Sequence, residues 1–438
     1  MKYRILLLML FYVELSAQNR RFTISGNITD GATSEDLIGA TVYVEEPKTG
    51  TTANEDVKSV PEMEEKTNSP RRMYLEFNAQ NGILMNRRND VILANHSLGF
   101  DVRVGWQTDD FEKNTYDYLF RFPQYGIGYY MGNLNNIILH NEEMSGFGKP
   151  FALYAFFAAP IVREHRYSVY YDISLGLATN FKTYDPHLRP FNTLIGANQN
   201  VYVNIRFSSD FSVSESATFG LGISYTHFSN GSIKKPNNGI DLLSINLLYQ
   251  TNFFKKSDKS YHRCPIETFS PVWEWHLNMA IGGRMLDTDF DLNSPHYKQW
   301  YCNTTSLAVL RQISHRRKVG IGLDYFYYDW GRYVKEYRAK EQGLDVITRE
   351  RDNSSIGAYL THEVGYKNLW LYMHVGFYVT EHISDYPNNL WIYERIGVKY
   401  NLNRNISLGV AIKAHLFAAD YVEWSLGFSM RGKKVKIA

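Results

Sequence analysis

The chain has 438 residues, with 47 lysines and arginines against 45 acids and a net charge of only +2, so it lacks the concentrated basic surface that nucleic acid requires. Hydrophobic residues at 44% exclude disorder for the bulk of the chain, and two cysteines are too few for a disulfide scaffold. No Cys/His spacing suggests zinc, and beyond the N-terminus no apolar run approaches the ~18 residues of a membrane helix, which leaves a β-barrel as the way to cross a membrane.

Lys2 and Arg4 precede an apolar stretch from Ile5 to Val13, followed by Leu15-Ser16-Ala17. Basic start, short apolar core and small residues describe a secretory signal peptide over 1–17, cut after Ala17. Residues 18–53 then hold Phe22 to Asp30, Leu37 to Val44 and Lys48 to Ala53, alternating runs punctuated by Asp30-Gly31 and Gly50. They read as a small β-sandwich fragment. The run resembles the opening strands of the carboxypeptidase-regulatory-like (transthyretin-like) domain. From 54 to 70 the chain is acidic, polar and Pro-containing, which reads as a linker.

From 71 onward, period-2 runs recur. Tyr167, Val169, Tyr171, Ile173, Leu175 and Leu177 alternate with Ser168, Asp172, Ser174 and Gly176. Val319, Ile321, Leu323 and Tyr325 do the same, as do Leu369 to Val379 and Ile406 to Ile412. A soluble sandwich buries such an apolar face, whereas an outer-membrane barrel turns it to lipid. Three features favour the barrel. Many strands run to ten residues or more, against ~5–6 for soluble strands. Trp273, Trp275, Tyr327, Trp330, Trp391 and Tyr393 cluster at strand ends, as in interfacial girdles. Long and short connections also alternate, with exceptions at 108–122 and 254–270. The expected fold is all-β: a transmembrane antiparallel β-barrel of about 14–16 strands, preceded by the sandwich fragment. Because the second exception follows the eighth strand, an 8-strand barrel plus a second β-unit is the alternative. The division is a barrel region over 71–253 and further barrel strands over 254–438.

The segment that carries chemistry runs from Phe219 to Tyr249. Phe219, Leu221, Ile223, Tyr225, His227 and Ser229 share one strand face, and Gly220, Gly222, Ser224, Thr226 and Phe228 the other. In the returning strand, Asp241 shares the apolar face of Leu243, Ile245 and Leu247. An imidazole, a hydroxyl and a carboxylate thus leave two hairpin-linked strands on the outer surface near the rim. Residues i and i+2 on one face lie ~6.5–7 Å apart at Cα, close enough for a serine hydroxyl to reach a histidine nitrogen. An acid on the paired strand can orient the other ring nitrogen. The plain alternative is a set of ordinary rim residues. His374, His415 and Glu423 fall on the lumen face, where polar side chains are normal.

His227-Phe-Ser229-Asn230, with Asn237 and an acid at 241, resembles the PagL-type lipid A 3-O-deacylase family, outer-membrane barrel esterases that remove an acyl chain from lipopolysaccharide. The resemblance implies Ser229 as nucleophile, His227 as base and Asp241 as the orienting acid, where the family acid is usually the longer Glu. It implies Asn230 and Asn237, with nearby backbone N–H groups, as oxyanion stabilisers. It also implies a lipid A substrate in the outer leaflet of a Gram-negative outer membrane, with no metal or cofactor. His415, Asp420 and Glu423 resemble the C-terminal hairpin of longer relatives. The rival from another class is a non-catalytic pore or surface-binding barrel, which has no use for an outward-facing triplet.

Overall fold

The computed structural model describes residues 41–44, 49–52, 72–85, 92–108, 114–139, 146–164, 166–253, 269–286, 298–380, 391–416 and 418–432. The signal peptide, the linker and most of 18–53 lie outside the described residues. Within 18–53, β1 (Thr41–Val44) and β2 (Thr49–Thr52) pair as an antiparallel hairpin with Val42 opposite Thr51. Residues 1–68 form one unit and 69–438 another.

The second unit contains two closed antiparallel barrels of eight strands each. The first uses β3 (Arg72–Leu84), β5 (Ser97–Gln107), β6 (Gln124–Asn133), β8 (Gly148–Arg163), β9 (Tyr167–Phe181), β10 (Asn200–Ser212), β11 (Ala217–Ser229) and β12 (Ile240–Asn252). It closes where β12 pairs with β3, Leu248 opposite Asn78. Short β4 (Ile92–Asn95) and β7 (Ile137–Leu139) pair apart from the barrel. The second barrel uses β13 (Val272–Arg284), β14 (Trp300–Ser314), β15 (Arg317–Tyr328), β16 (Ser354–Tyr366), β17 (Leu369–Tyr378), β18 (Ile392–Asn401), β19 (Ile406–His415) and β20 (Ala418–Arg431). It closes where β13 pairs with β20, Leu277 opposite Phe428.

The strand number expected from alternation is therefore right, and the eight-plus-second-unit alternative describes how the strands divide. One large barrel and two small ones share the same in–out pattern. Only the closing pairs separate them, and those join residues far apart in the chain.

The outer faces are apolar, and the lumens hold buried polar and charged groups among packed aromatic rings. Leu221, Ile223 and Ile245 are 63%, 58% and 68% exposed, while Ser224, Ser244 and Asn246 are buried. An eight-stranded barrel is just wide enough to be filled by side chains. In the first lumen Asp172 bridges Arg103 and Arg206, with Arg206 also 2.9 Å from Glu76. In the second, Arg395 meets Asp324 at 3.1 Å and Glu423 at 2.7 Å, and Lys399 meets Glu363 at 2.7 Å. His374, His415 and Glu423 are buried, as their strand parity requires. Trp273, Trp275 and Trp391 lie on the outside, but Trp330 and Tyr393 are core residues of the second barrel.

The exception at 108–122 holds α1 (Thr115–Leu119), whose N-cap Asn114 accepts from Tyr116 N–H at 2.9 Å. This connection leans on the second barrel: the Tyr366 ring lies 5.7 Å from Phe120 and its hydroxyl donates to Asp117. Because Leu221 is outward and mid-strand, Leu221→Arg is expected to destabilise the barrel by ~2–4 kcal/mol. Urea unfolding in lipid vesicles measures it, and an unchanged midpoint would reverse the assignment of faces.

Candidate active site

β11 carries the candidate residues to its outer end, and β12 returns beside it. The pairing sets His227 directly opposite Asp241. Directly opposite residues bring their Cβ atoms within about 4.5–5.5 Å. The shorter acid therefore suffices: Asp241 Oδ1 lies 2.6 Å from His227 Nδ1. The Tyr225 hydroxyl donates to the same oxygen at 2.5 Å. Tyr225 is the outward residue one step below His227, and it covers an acid that is only 2% exposed. Alternation put Tyr225 on this face; its hold on Asp241 required the register.

Ser229 ends β11 and is buried. Its Oγ accepts from Asn237 Nδ2 at 2.8 Å and from the Gly231 N–H at 3.1 Å. Among the described residues these are its partners; no hydrogen bond to His227 is made in this resting arrangement. The hydroxyl oxygen instead rests on two N–H donors, so rotation of the Ser229 side chain is needed to bring it to the imidazole. Catalytic hydrogen bonds commonly tighten only when substrate is bound. With Nδ1 held by Asp241, Nε2 is the other ring nitrogen of His227. Its side chain is 24% exposed, the accessible member of the triplet. Of the three, only His227 is partly exposed; Ser229 and Asp241 are covered.

The two asparagines divide their work. Asn237 touches Ser229 and also accepts from the Asn230 N–H at 3.1 Å. The Asn230 side chain closes the loop on itself, donating to Lys234 O at 2.9 Å and accepting from Lys234 N–H at 3.2 Å. Its side chain is thus engaged within the loop, while the N–H that reaches Ser229 Oγ beside Asn237 is that of Gly231. Gly239 turns the chain into β12 with φ +79, and a Cβ there would lie 2.7 Å from His227 Cε1. Glycine meets both demands, the left-handed backbone and the close approach. Its N–H donates to Leu194 O at 3.0 Å, tying the site to the long connection between β9 and β10.

Residues 100–250, most of the first barrel, match the family described as lipid A 3-O-deacylase (PagL). Residues 273–432, nearly the whole second barrel, match the acyloxyacyl hydrolase C-terminal domain. The chain belongs to the PagL-type lipid A 3-O-deacylase family. Membership in this family and the paired barrels make it an outer-membrane protein. The PagL segment contains the complete His227, Ser229, Asn230, Asn237 and Asp241 constellation, and the C-terminal match accounts for the strands beyond 254. The solved outer-membrane enzyme PagL is 15% identical, covering 40% of this chain and 98% of its own, with TM-score 0.26. Neisserial surface protein A is 10% identical, covering 41% and 97%, with TM-score 0.28. The Pseudomonas putida toluene transporter TodX is 9% identical, covering 84% and 92%, with TM-score 0.16. No curated protein matches the chain.

Proposed function

We propose that this chain is a serine esterase that removes the 3-O-linked acyl chain of lipid A. The observation that carries the reading is the Asp241–His227 pair at 2.6 Å beside a Ser229 hydroxyl already seated on two N–H donors. Ser229 Oγ attacks the ester carbonyl as His227 Nε2 takes its proton, giving a tetrahedral oxyanion. Asn237 Nδ2 and the Gly231 N–H donate to that oxygen. Collapse breaks the carbon–oxygen bond to the sugar, whose oxygen receives the proton from His227. Water then attacks the acyl-serine, His227 takes the water's proton, and it returns it to Ser229 as the fatty acid leaves. Asp241 stabilises the imidazolium at each turn.

The location supports a membrane lipid as substrate, because β11 and β12 present the site at the top of a lipid-facing wall. The filled lumens favour an enzyme over a pore. The test is mass spectrometry of lipid A from cells expressing the protein. Loss of one ester-linked acyl chain is expected; unchanged lipid A would leave the surface-binding reading instead.

Asp241→Asn is expected to lower kcat about 10²- to 10⁴-fold without abolishing it, because the amide no longer stabilises the imidazolium. Asp241→Glu should keep part of the activity. Steady-state release of fatty acid distinguishes them, and a wild-type rate from Asp241→Asn would move the acid elsewhere.

A further inference from the structure

The loop that follows Ser229 belongs to the first barrel but rests on the second. Gly231 and Ser232 both adopt left-handed backbone, with φ +62 and +68. For Gly231 this costs little, whereas a residue with a Cβ such as Ser232 adopts it only when its surroundings over-determine it. Those surroundings come from the rim formed by β13 and β20. Met285 N–H donates to Ser232 O at 2.8 Å, and the Ser232 hydroxyl donates to Ala419 O at 2.9 Å. Ser232 is only 1% exposed. One residue earlier, a Cβ on Gly231 would lie 2.3 Å from Val422 Cγ2, so that methyl sits directly against the Gly231 backbone. Farther along the loop, Gln299 Nε2 donates to Ile233 O at 2.5 Å, and Lys235 N–H faces Met285 Sδ at 3.5 Å. The N–H displayed by this clamped turn is the one 3.1 Å from Ser229 Oγ.

We propose that the second barrel is the scaffold of the oxyanion loop, with Val422, Ala419 and Met285 as positioning residues that aim the Gly231 N–H at the reacting centre. This rests on the esterase reading above and gives the C-terminal domain a task within it. The contact supplies no reacting group. It fixes where a donor of the first barrel stands, and a misplaced donor acts on kcat rather than on ground-state binding.

The test uses the full chain in detergent micelles, with purified lipopolysaccharide as substrate and a fluorophosphonate as probe of Ser229. Gly231→Ala is expected to lower kcat on the order of a hundredfold with KM within about twofold, because the new methyl strikes Val422 and also strains the left-handed turn. Val422→Ala should lower kcat about tenfold by releasing the turn, with fluorophosphonate labelling slowed in parallel. The decisive variant is the double substitution. Val422→Ala removes the methyl that an alanine at 231 would strike, so the pair should recover about tenfold over Gly231→Ala alone. Leu426→Ala, on the lipid face of β20, should match wild type. Wild-type kcat in Val422→Ala, or a double variant no faster than Gly231→Ala, overturns the proposal. A wild-type chain that neither releases fatty acid nor labels at Ser229 overturns the esterase reading itself, and the proposal with it.

Discussion

Ser229→Ala and His227→Ala are each expected to lower ester release on the order of 10⁴- to 10⁶-fold, to what the oxyanion donors and binding alone provide. The two losses should not add, because nucleophile and base act as one unit: the double variant should be no slower than either single one. Both variants should keep the compact, unheated-gel mobility of a folded barrel, since the two residues lie at the outer end of β11 and outside the lumen ion network. Release of fatty acid by purified protein measures the effect. Activity surviving in either variant would remove that residue from its role, and fluorophosphonate labelling at another serine would name the replacement.

The second large effect is on stability. Asp172 is 1% exposed and holds two arginines, Arg103 and Arg206, inside the first barrel. Asp172→Ala leaves those cations facing each other with Glu76 as the acid that still pairs with both. Removing one partner of a buried ionic group costs about 3–5 kcal/mol, because the charge left behind stays buried, away from water and without its compensating partner. Urea unfolding in vesicles should show that loss, and adding Arg206→Met should restore part of it by removing a stranded charge. A loss below ~1 kcal/mol would mean that water reaches the arginines and that the lumen is wetter than its packing implies.

Much of the site could be read along the chain because a strand has a period of two. That period alone puts Tyr225, His227 and Ser229 on one face, and the same rule applied to β12 puts Asp241 on it too. The H-x-S-N spacing then supplied the family. What strand parity could not give was contact. Asn230 and Asn237 are equally plausible oxyanion donors in the sequence, yet one closes its own loop and the other touches Ser229. That difference comes from how the turn at Gly231 and Ser232 winds, which strand parity does not set.

By itself, then, the sequence determined that the chain is a set of antiparallel strands with an apolar outside, and that an imidazole, a hydroxyl and a carboxylate lie near the outer end of one hairpin. These follow from local rules, since the side-chain period and the spacing of the motif act within one hairpin. The tertiary structure decided what depends on distant pairing. It split the strands into two closed barrels, because β12 returns to β3 and β20 returns to β13. It set the loop after Ser229 against Val422, nearly two hundred residues on. No alternation within a strand encodes which edge it will close against, because an unpaired edge offers the same N–H and C=O groups to any partner.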